Sequence, residues 1–89
     1  MTQQSMENIL KSIQPNALAH VYTKKGDKIC IKDTEKTTAC TVTASAEEGY
    51  LKIVKIQRTN SQETSSCIYV DYSDISRVEE NISARALKP

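Results

Sequence analysis

The run Tyr50–Arg58 constrains the fold more than any other stretch of this sequence, because it is the longest series of strand-forming residues. Its β-branched and aromatic side chains favour a pleated backbone. Shorter strand candidates stand on either side, at 40–44 before it and at 67–72 after it. The three segments together predict a small antiparallel sheet in which Tyr50–Arg58 is the central strand.

The apolar residues of this central strand fall into two conflicting phases. Leu51 and Ile53 point to one face, whereas Val54 and Ile56 point to the other, because side chains alternate along a strand. A strict period of two cannot place all four inside one core. We therefore expect one of two solutions. Either a bulge shifts the phase near Ile53 and Val54, or the N-terminal helix or a second subunit covers the second face.

An amphipathic helix is predicted at about 3–14. One apolar stripe with helical spacing is formed by Met6, Ile9, Leu10 and Ile13. Thr2 or Ser5 can cap the start of this helix, and Pro15 ends it, because the residue before a proline is pushed out of the helical region. A short helix with one apolar stripe must dock on something, either the sheet or the same helix of another subunit.

The remaining strands are predicted from alternation and turn residues. Segments 18–23 and 28–32 form a hairpin whose turn contains Gly26, a residue suited to positive φ. The polar stretch 59–66 is predicted to be a loop at the tip of a second hairpin. Segment 75–79 is ambiguous: we favour a short closing strand, while a helix that starts at a capping box of Ser76 and Glu79 and runs through Leu87 is the alternative.

The chain is predicted to be a single domain, 1–89, with a β-rich body at about 17–79 and a helical or frayed tail at 80–89. A content of 38% hydrophobic and 26% charged residues is typical of a globular protein. The net charge of +1 does not by itself steer the chain toward nucleic acid or a membrane. Three cysteines without CxxC spacing indicate a reducing compartment, and we expect a cytoplasmic protein, of a bacterium or of a virus's host.

The order of these elements resembles the Sm/Hfq-like branch of the SH3-like small barrels. The first turn, Lys24–Asp27, and the segment Tyr69–Val78, read as strand, helical turn and strand, carry the resemblance over about residues 5–79. It implies a mainly β (α+β) fold: an N-terminal amphipathic helix followed by a five-stranded antiparallel small barrel or strongly bent sheet. The family's second-strand glycine is missing from Cys30–Lys32, and residues 71–74 are acidic where the family is basic or glycine-rich. No binding residue is therefore carried over.

Catalysis, metal binding and cofactors are not expected from this sequence. His20 is the only histidine, and Cys30 could lie across the hairpin from it, but a thiol in the middle of a strand is not in the setting where thiolates are activated. One histidine, dispersed cysteines and two glycines, both at turns, give neither a ligand set nor a phosphate loop. We therefore interpret the protein as non-enzymatic.

Two functional hypotheses follow. The leading one is a small interaction module, a regulator, adaptor or inhibitor, which binds a protein partner and also associates with itself. Its predicted contact residues are Met6, Ile9, Leu10, Ile13, Val54 and Ile56. The alternative is a nucleic-acid or anionic-ligand binder that uses a basic strand face with interleaved tyrosines. The residues of that face are Lys24, Lys25, Lys28, Lys32, Lys52, Lys55, Arg58, Tyr22 and Tyr50.

Overall fold

The structure, a computed structural model, describes residues 1–33 and 40–82. These residues form one helix and six strands: α1 (Gln3–Ser12), β1 (Ala17–Thr23), β2 (Lys28–Lys32), β3 (Cys40–Ala46), β4 (Tyr50–Arg58), β5 (Glu63–Asp71) and β6 (Ile75–Ile82), with a 3-10 turn (Tyr72–Asp74) before β6. The strands make two antiparallel sheets, β2-β1-β6 (sheet A) and β3-β4-β5 (sheet B). The predicted mainly β fold with an N-terminal helix is confirmed. The single five-stranded barrel is not, because the described strands divide into two sheets that do not close.

Helix α1 begins at the predicted cap but ends two residues before the predicted end at 14. The Thr2 hydroxyl accepts a hydrogen bond from the backbone N–H of Ser5 at 3.1 Å, which satisfies a free donor of the first turn. Ile13 is already extended, with φ −65° and ψ 128°. The chain turns here because Pro15 disfavours helical geometry at Gln14, whose carbonyl accepts a bond from the N–H of Ala17 at 3.1 Å.

The core lies between α1 and the inner faces of the two sheets. Alternate residues of β1 and of the first half of β4 point into it, as the period of a strand requires. Its buried apolar residues form one cluster, which consists of Met6, Ile13, Ala17, Ala19, Val21, Ile31, Leu51, Ile53, Val70, Tyr72 and Ile75. Such burial is the dominant favourable term in the stability of a domain of this size.

Strand β4 is central in sheet B and regular along its whole length. It pairs with β3 from Leu51 to Gln57 and with β5 from Tyr50 to Arg58, without a shift of register. The bulge predicted near Ile53 and Val54 is therefore wrong. The register shifts occur in sheet A instead. Strand β2 has one extra residue opposite Ala19 and His20 of β1, and β6 has one extra residue opposite Tyr22 and Thr23. In both cases the extra residue belongs to an edge strand of sheet A, and a strand with one free edge accommodates a bulge more easily than a central strand such as β4, which is paired on both sides.

Strand β5 begins four residues earlier than its predicted start at Cys67. The predicted loop 59–66 shrinks to a tight turn in which the N–H of Thr59 donates to the carbonyl of Gln62 at 2.8 Å. Arg58 and Glu63 form an ion pair at 3.1 Å directly beneath this turn. Pairing with β4 therefore extends the strand into a polar sequence that has little strand preference of its own.

The predicted closing strand is confirmed as β6, and it is longer than expected. It runs to Ile82, which pairs with Ala17, so residues 80–82 belong to sheet A and not to a tail. Backbone pairing with β1 excludes the alternative helix for 76–82, because a strand ladder satisfies the same donors and acceptors. The predicted tail beyond Ile82 lies outside the described residues.

We expect Tyr72→Phe to lower the free energy of unfolding by about 0.5–1.5 kcal/mol, because Tyr72 is buried and its hydroxyl donates a hydrogen bond to the carbonyl of Glu47 at 2.5 Å. Burial, followed by the charge of Glu47, raises the pKa of Tyr72 above its ordinary value of 10.0. The unfolded chain therefore ionises first, so this contribution is complete below pH 10 and is lost as the pH rises through the folded pKa. Urea titrations at pH 8–11 measure it.

The pH dependence separates this effect from a packing defect. The wild type is expected to lose stability more steeply above pH 10 than Tyr72→Phe does, because the variant has no phenol at this position. Parallel pH curves for the two proteins would contradict the assignment of Tyr72 as the buried titrating group.

Candidate functional site

The apolar stripe of α1 is used inside the chain. Met6 is fully buried and Ile13 is 9% exposed, and both belong to the core cluster. Leu10 is half-buried and packs against the same cluster, while Ile9 is half-buried. Of the two docking targets predicted for this stripe, the structure shows the sheet: α1 lies against β3, where the Gln3 side chain donates to the carbonyl of Ala46 at 3.3 Å. Met6 and Ile13 therefore offer a partner no surface.

Val54 and Ile56 occupy the outer face of sheet B. They are half-buried, and their cross-strand neighbours on this face are small: Thr43 and Cys67 beside Val54, and Thr41 and Ser65 beside Ile56. These neighbouring residues are themselves exposed, so this face is open in the described chain. Because threonine and serine interrupt it, the face does not form the contiguous apolar patch that marks many interaction sites.

The free edge of sheet B is a stronger candidate. Among residues 1–33 and 40–82, strand β5 pairs only with β4, so within this part of the chain one of its two edges carries backbone N–H and C=O groups that are not bonded within the sheet. Eight of its nine residues are exposed, all except Val70. Two of its large apolar side chains, Ile68 and Tyr69, are 39% and 61% exposed. They project to opposite faces, so this edge offers a partner apolar contacts on both sides.

The other three sheet edges are protected in ways that β5 is not. Strand β2 is only five residues long, with Lys28 and Lys32 at its ends. Strand β3 is contacted by α1 and by β2. Strand β6 carries three charges, Arg77, Glu79 and Glu80. Short length, cover and charge are the usual means by which proteins prevent edge-to-edge pairing.

The corresponding protection is absent from β5. Residues 64–70 include no charged residue and no proline, and the two charges of the strand stand at its ends, at Glu63 and Asp71. The carboxylate of Glu63 is occupied by Arg58. An open edge of this length is therefore a template for pairing with another extended segment. Sequence reasoning missed this site because it placed 59–66 in a loop, and the only signal for it was the alternation of residues 67–72.

An apolar groove lies beside this edge, between β2 and the inner face of sheet B. It has a volume of about 310 Å³ and is lined by Ile29, Cys30, Cys40, Val42, Ile53 and Ile68, with Lys28, Asp33 and Lys55 also in the lining. Ile68 therefore belongs both to the free edge and to the groove wall. A side chain that projects inward from a segment paired with β5 would enter this apolar space.

The predicted basic face is divided by the structure. Lys52 lies on the outer face of sheet B, opposite Tyr69 and Ser45, whereas Lys55 lines the groove on the inner face. Lys28 and Lys32 were expected to share a face, but the register shift between β1 and β2 falls between them and changes the alternation. Together these positions do not form one basic surface.

Several basic side chains also have internal partners. The Lys32 ammonium donates to the carbonyl of Gln14 at 2.6 Å, and Arg58 donates to Glu63 and to the hydroxyl of Thr41 at 3.2 Å. Tyr22 lies on sheet A while Tyr50 packs edge-on against Tyr69 in sheet B at 5.6 Å between ring centroids. Lys24 and Lys25 are exposed in the turn between β1 and β2. The tyrosines therefore do not interleave with a common row of lysines.

His20 has Cys30 on one side and Glu79 on the other, across β2 and β6. The predicted position of Cys30 opposite His20 is confirmed. The environment does not activate the thiol, because burial raises the pKa of Cys30 and its Sγ lies 3.4 Å from the carbonyl oxygen of Lys32. Burial, followed by Lys28, lowers the pKa of His20. Its Nδ1 is buried and has no hydrogen-bond partner among the described residues.

Glu79 is held by a polar cluster on β1 and β6. Its Oε1 accepts hydrogen bonds from the Tyr22 hydroxyl at 3.0 Å and from the Asn81 amide at 3.1 Å. Arg77 stacks on the Tyr22 ring, with its guanidinium carbon 4.1 Å from the ring centroid, and lies 3.9 Å from the other Glu79 oxygen. These bonds, that of Tyr22 foremost, lower the pKa of Glu79 from its ordinary value of 4.5.

We expect Tyr22→Phe to raise the pKa of Glu79 toward 4.5, because the strongest hydrogen bond to its charged form is removed. Asn81→Ala is expected to act in the same direction but less. The stabilising effect of the depressed pKa is present above pH 4.5 and is lost as the pH falls through the folded value. An NMR titration of the Glu79 side chain measures the shift, with Tyr69→Phe as the control. An unchanged pKa in Tyr22→Phe would contradict this network.

Among residues 1–33 and 40–82, no group of three or more potential ligand side chains is arranged to hold a metal ion. Within the same residues, no helix is long and apolar enough to cross a membrane. No protein-family model matches the chain, and the comparisons with curated proteins and with solved structures likewise found no match.

Proposed function

We propose that this protein is a small, non-enzymatic interaction module that binds an extended segment of a protein partner at the free edge of β5. In this role it acts as a regulator, adaptor or inhibitor by occupying its partner, and it also associates with itself. The observation that carries the proposal is the exposed nine-residue edge strand β5, whose residues 64–70 lack the charges and proline that protect such edges.

Strand addition explains how so small a surface can give specific binding. The N–H and C=O groups along the edge of β5 supply main-chain hydrogen bonds to any extended segment. Alternate side chains of that segment then meet Ile68 with its groove on one face and Tyr69 on the other. The main-chain hydrogen bonds provide affinity. The side-chain contacts provide selectivity, because the groove accepts apolar side chains of limited size.

The Sm/Hfq-like resemblance remains part of this proposal. It is supported by the order of elements, with a helix first and a 3-10 turn between the last two strands. A closed small barrel would need further pairing between the two sheets. The alternative function, nucleic-acid or anion binding through a lysine-rich face, has less support, because Lys52 and Lys55 lie on opposite faces of sheet B.

The proposal is tested by blocking the edge without disturbing the core. The double variant Ser66→Lys/Ile68→Lys places two charges on exposed residues of β5, and Thr43→Lys places one on an exposed residue of the same sheet. Circular dichroism and urea unfolding first establish that both variants are folded. The wild type and the two variants are then immobilised separately, and the sets of proteins that bind to each are compared.

We expect the wild type and Thr43→Lys to retain the same proteins and the double variant to lose them. Retention that is equal in all three would place binding elsewhere and overturn the proposal. A wild type that stays strictly monomeric in light scattering and retains no protein would also overturn it.

A further inference from the structure

We propose that the segment added to β5 is β5 of a second copy, which pairs antiparallel about a two-fold axis at Ile68 and joins two sheets B into one six-stranded sheet. This inference rests on the proposed function and names its partner. An interface of this kind is isologous, because the same strand serves both copies and the pairing closes on itself as a dimer.

Symmetry restricts the registers that are available. A two-fold axis perpendicular to the sheet keeps each face of the sheet on its own side, so residues paired across the interface must project to the same face. The axis must therefore lie midway between the two copies of one residue. An axis at Cys67 would set Glu63 of one copy opposite Asp71 of the other, twice, and like charges directly opposite each other are destabilising. An axis at Ser66 would set Tyr69 opposite Glu63.

The register about Ile68 avoids both conflicts. Residues 65–71 overlap, so Asp71 meets Ser65 of the second copy and Cys67 meets its Tyr69. Glu63 lies beyond the overlap, where it stays paired with Arg58. The pairing thus leaves no carboxylate opposite another along the whole ladder.

This register also covers the apolar groups that β5 leaves exposed. The two Ile68 side chains meet at the axis, on the groove side of the sheet. On the other face, Tyr69 of each copy packs beside Cys67 of the other and extends the row that contains Val54 and Cys67. Ile68 and Tyr69 are two of the four large apolar side chains that are exposed among the described residues, and the dimer covers part of the apolar surface that they expose.

Disulfide trapping tests the register. The background carries Cys30→Ala, Cys40→Ala and Cys67→Ser, because Cys30 and Cys40 line the same groove as Ile68. In this background, Ile68→Cys places two thiols directly opposite each other at the axis, within the reach of a cross-strand disulfide. Thr64→Cys in the same background is the matched control, since it lies on the same strand and face but outside the overlap. After mild oxidation with copper phenanthroline, we expect covalent dimer as the main product of Ile68→Cys and almost none from Thr64→Cys or from the cysteine-free background alone.

Light scattering on the untrapped protein completes the test. We expect a dimer of two 9.9 kDa chains for the wild type and a monomer for Ile68→Lys. A monomeric wild type that still retains another protein through the β5 edge would overturn the second-copy inference and the self-association, and would leave standing the binding of a partner segment at this edge. A dimer that survives Ile68→Lys, or that cross-links equally at residues 64 and 68, would overturn this interface.

Discussion

Ile53→Ala is expected to lower the free energy of unfolding by about 2–5 kcal/mol, the range measured for truncation of a large buried aliphatic side chain. Ile53 is 1% exposed and stands in the middle of the central strand, where sheet B faces the core. Domains of this kind are stable by about 5–15 kcal/mol in total, so the loss is a large share. Urea unfolding followed by circular dichroism measures it as a lower midpoint with an unchanged slope.

The neighbouring residue supplies the control. Val54→Ala removes a half-buried side chain from the outer face of the same strand, and we expect its effect to be clearly smaller. Equal losses at the two positions would mean that the outer face is as well covered as the inner one. That result would contradict the open face of sheet B.

Met6→Ala is expected to cost a similar amount, about 2–5 kcal/mol, because Met6 is fully buried and joins α1 to the core cluster. Asn8→Ala, at an exposed position of the same helix, is expected to change stability by less than about 0.5 kcal/mol. The measurement is again urea unfolding. A negligible effect of Met6→Ala would show that α1 contributes little to the fold and leaves its stripe free for a partner.

Much of the fold was predictable from the sequence because local patterns agreed with tertiary packing. The stripe around Met6 predicted α1, and its capping by Thr2 followed from residue type. Gly26 and Gly49 mark two turns, and both have positive φ, at 96° and 88°. Leu51 and Ile53 identified the buried face of β4 through simple alternation.

The predictions failed where pairing between strands overrides local preference. The polar run from Glu63 to Ser66 has few strand-forming residues and becomes a strand only because β4 lies beside it. The division of the chain into two sheets is likewise set by long-range pairing. Long-range pairing also sets the positions of the register shifts. One of these shifts separates Lys28 from Lys32, which simple alternation had placed on the same face.

The candidate site was less predictable than the fold. Of the apolar residues of α1 predicted to meet a partner, Met6 and Ile13 lie in the core and Leu10 packs against it, whereas Val54 and Ile56 lie on the outer face of sheet B. A sequence pattern shows that an apolar stripe must be covered, but it does not show by what. The free edge of β5 is a property of backbone topology, and no side-chain pattern records it.

The ladder between β1 and β6 has a consequence for how the chain reaches its fold. Sheet B is built from consecutive hairpins, so its contacts are local in sequence, whereas pairs such as Ala17 with Ile82 join residues near opposite ends of the described chain. The loop-closure entropy of such distant pairs must be lost before their contacts compensate for it. Sheet B and the β1–β2 hairpin can therefore form during synthesis, whereas sheet A is completed only when β6 has left the ribosome.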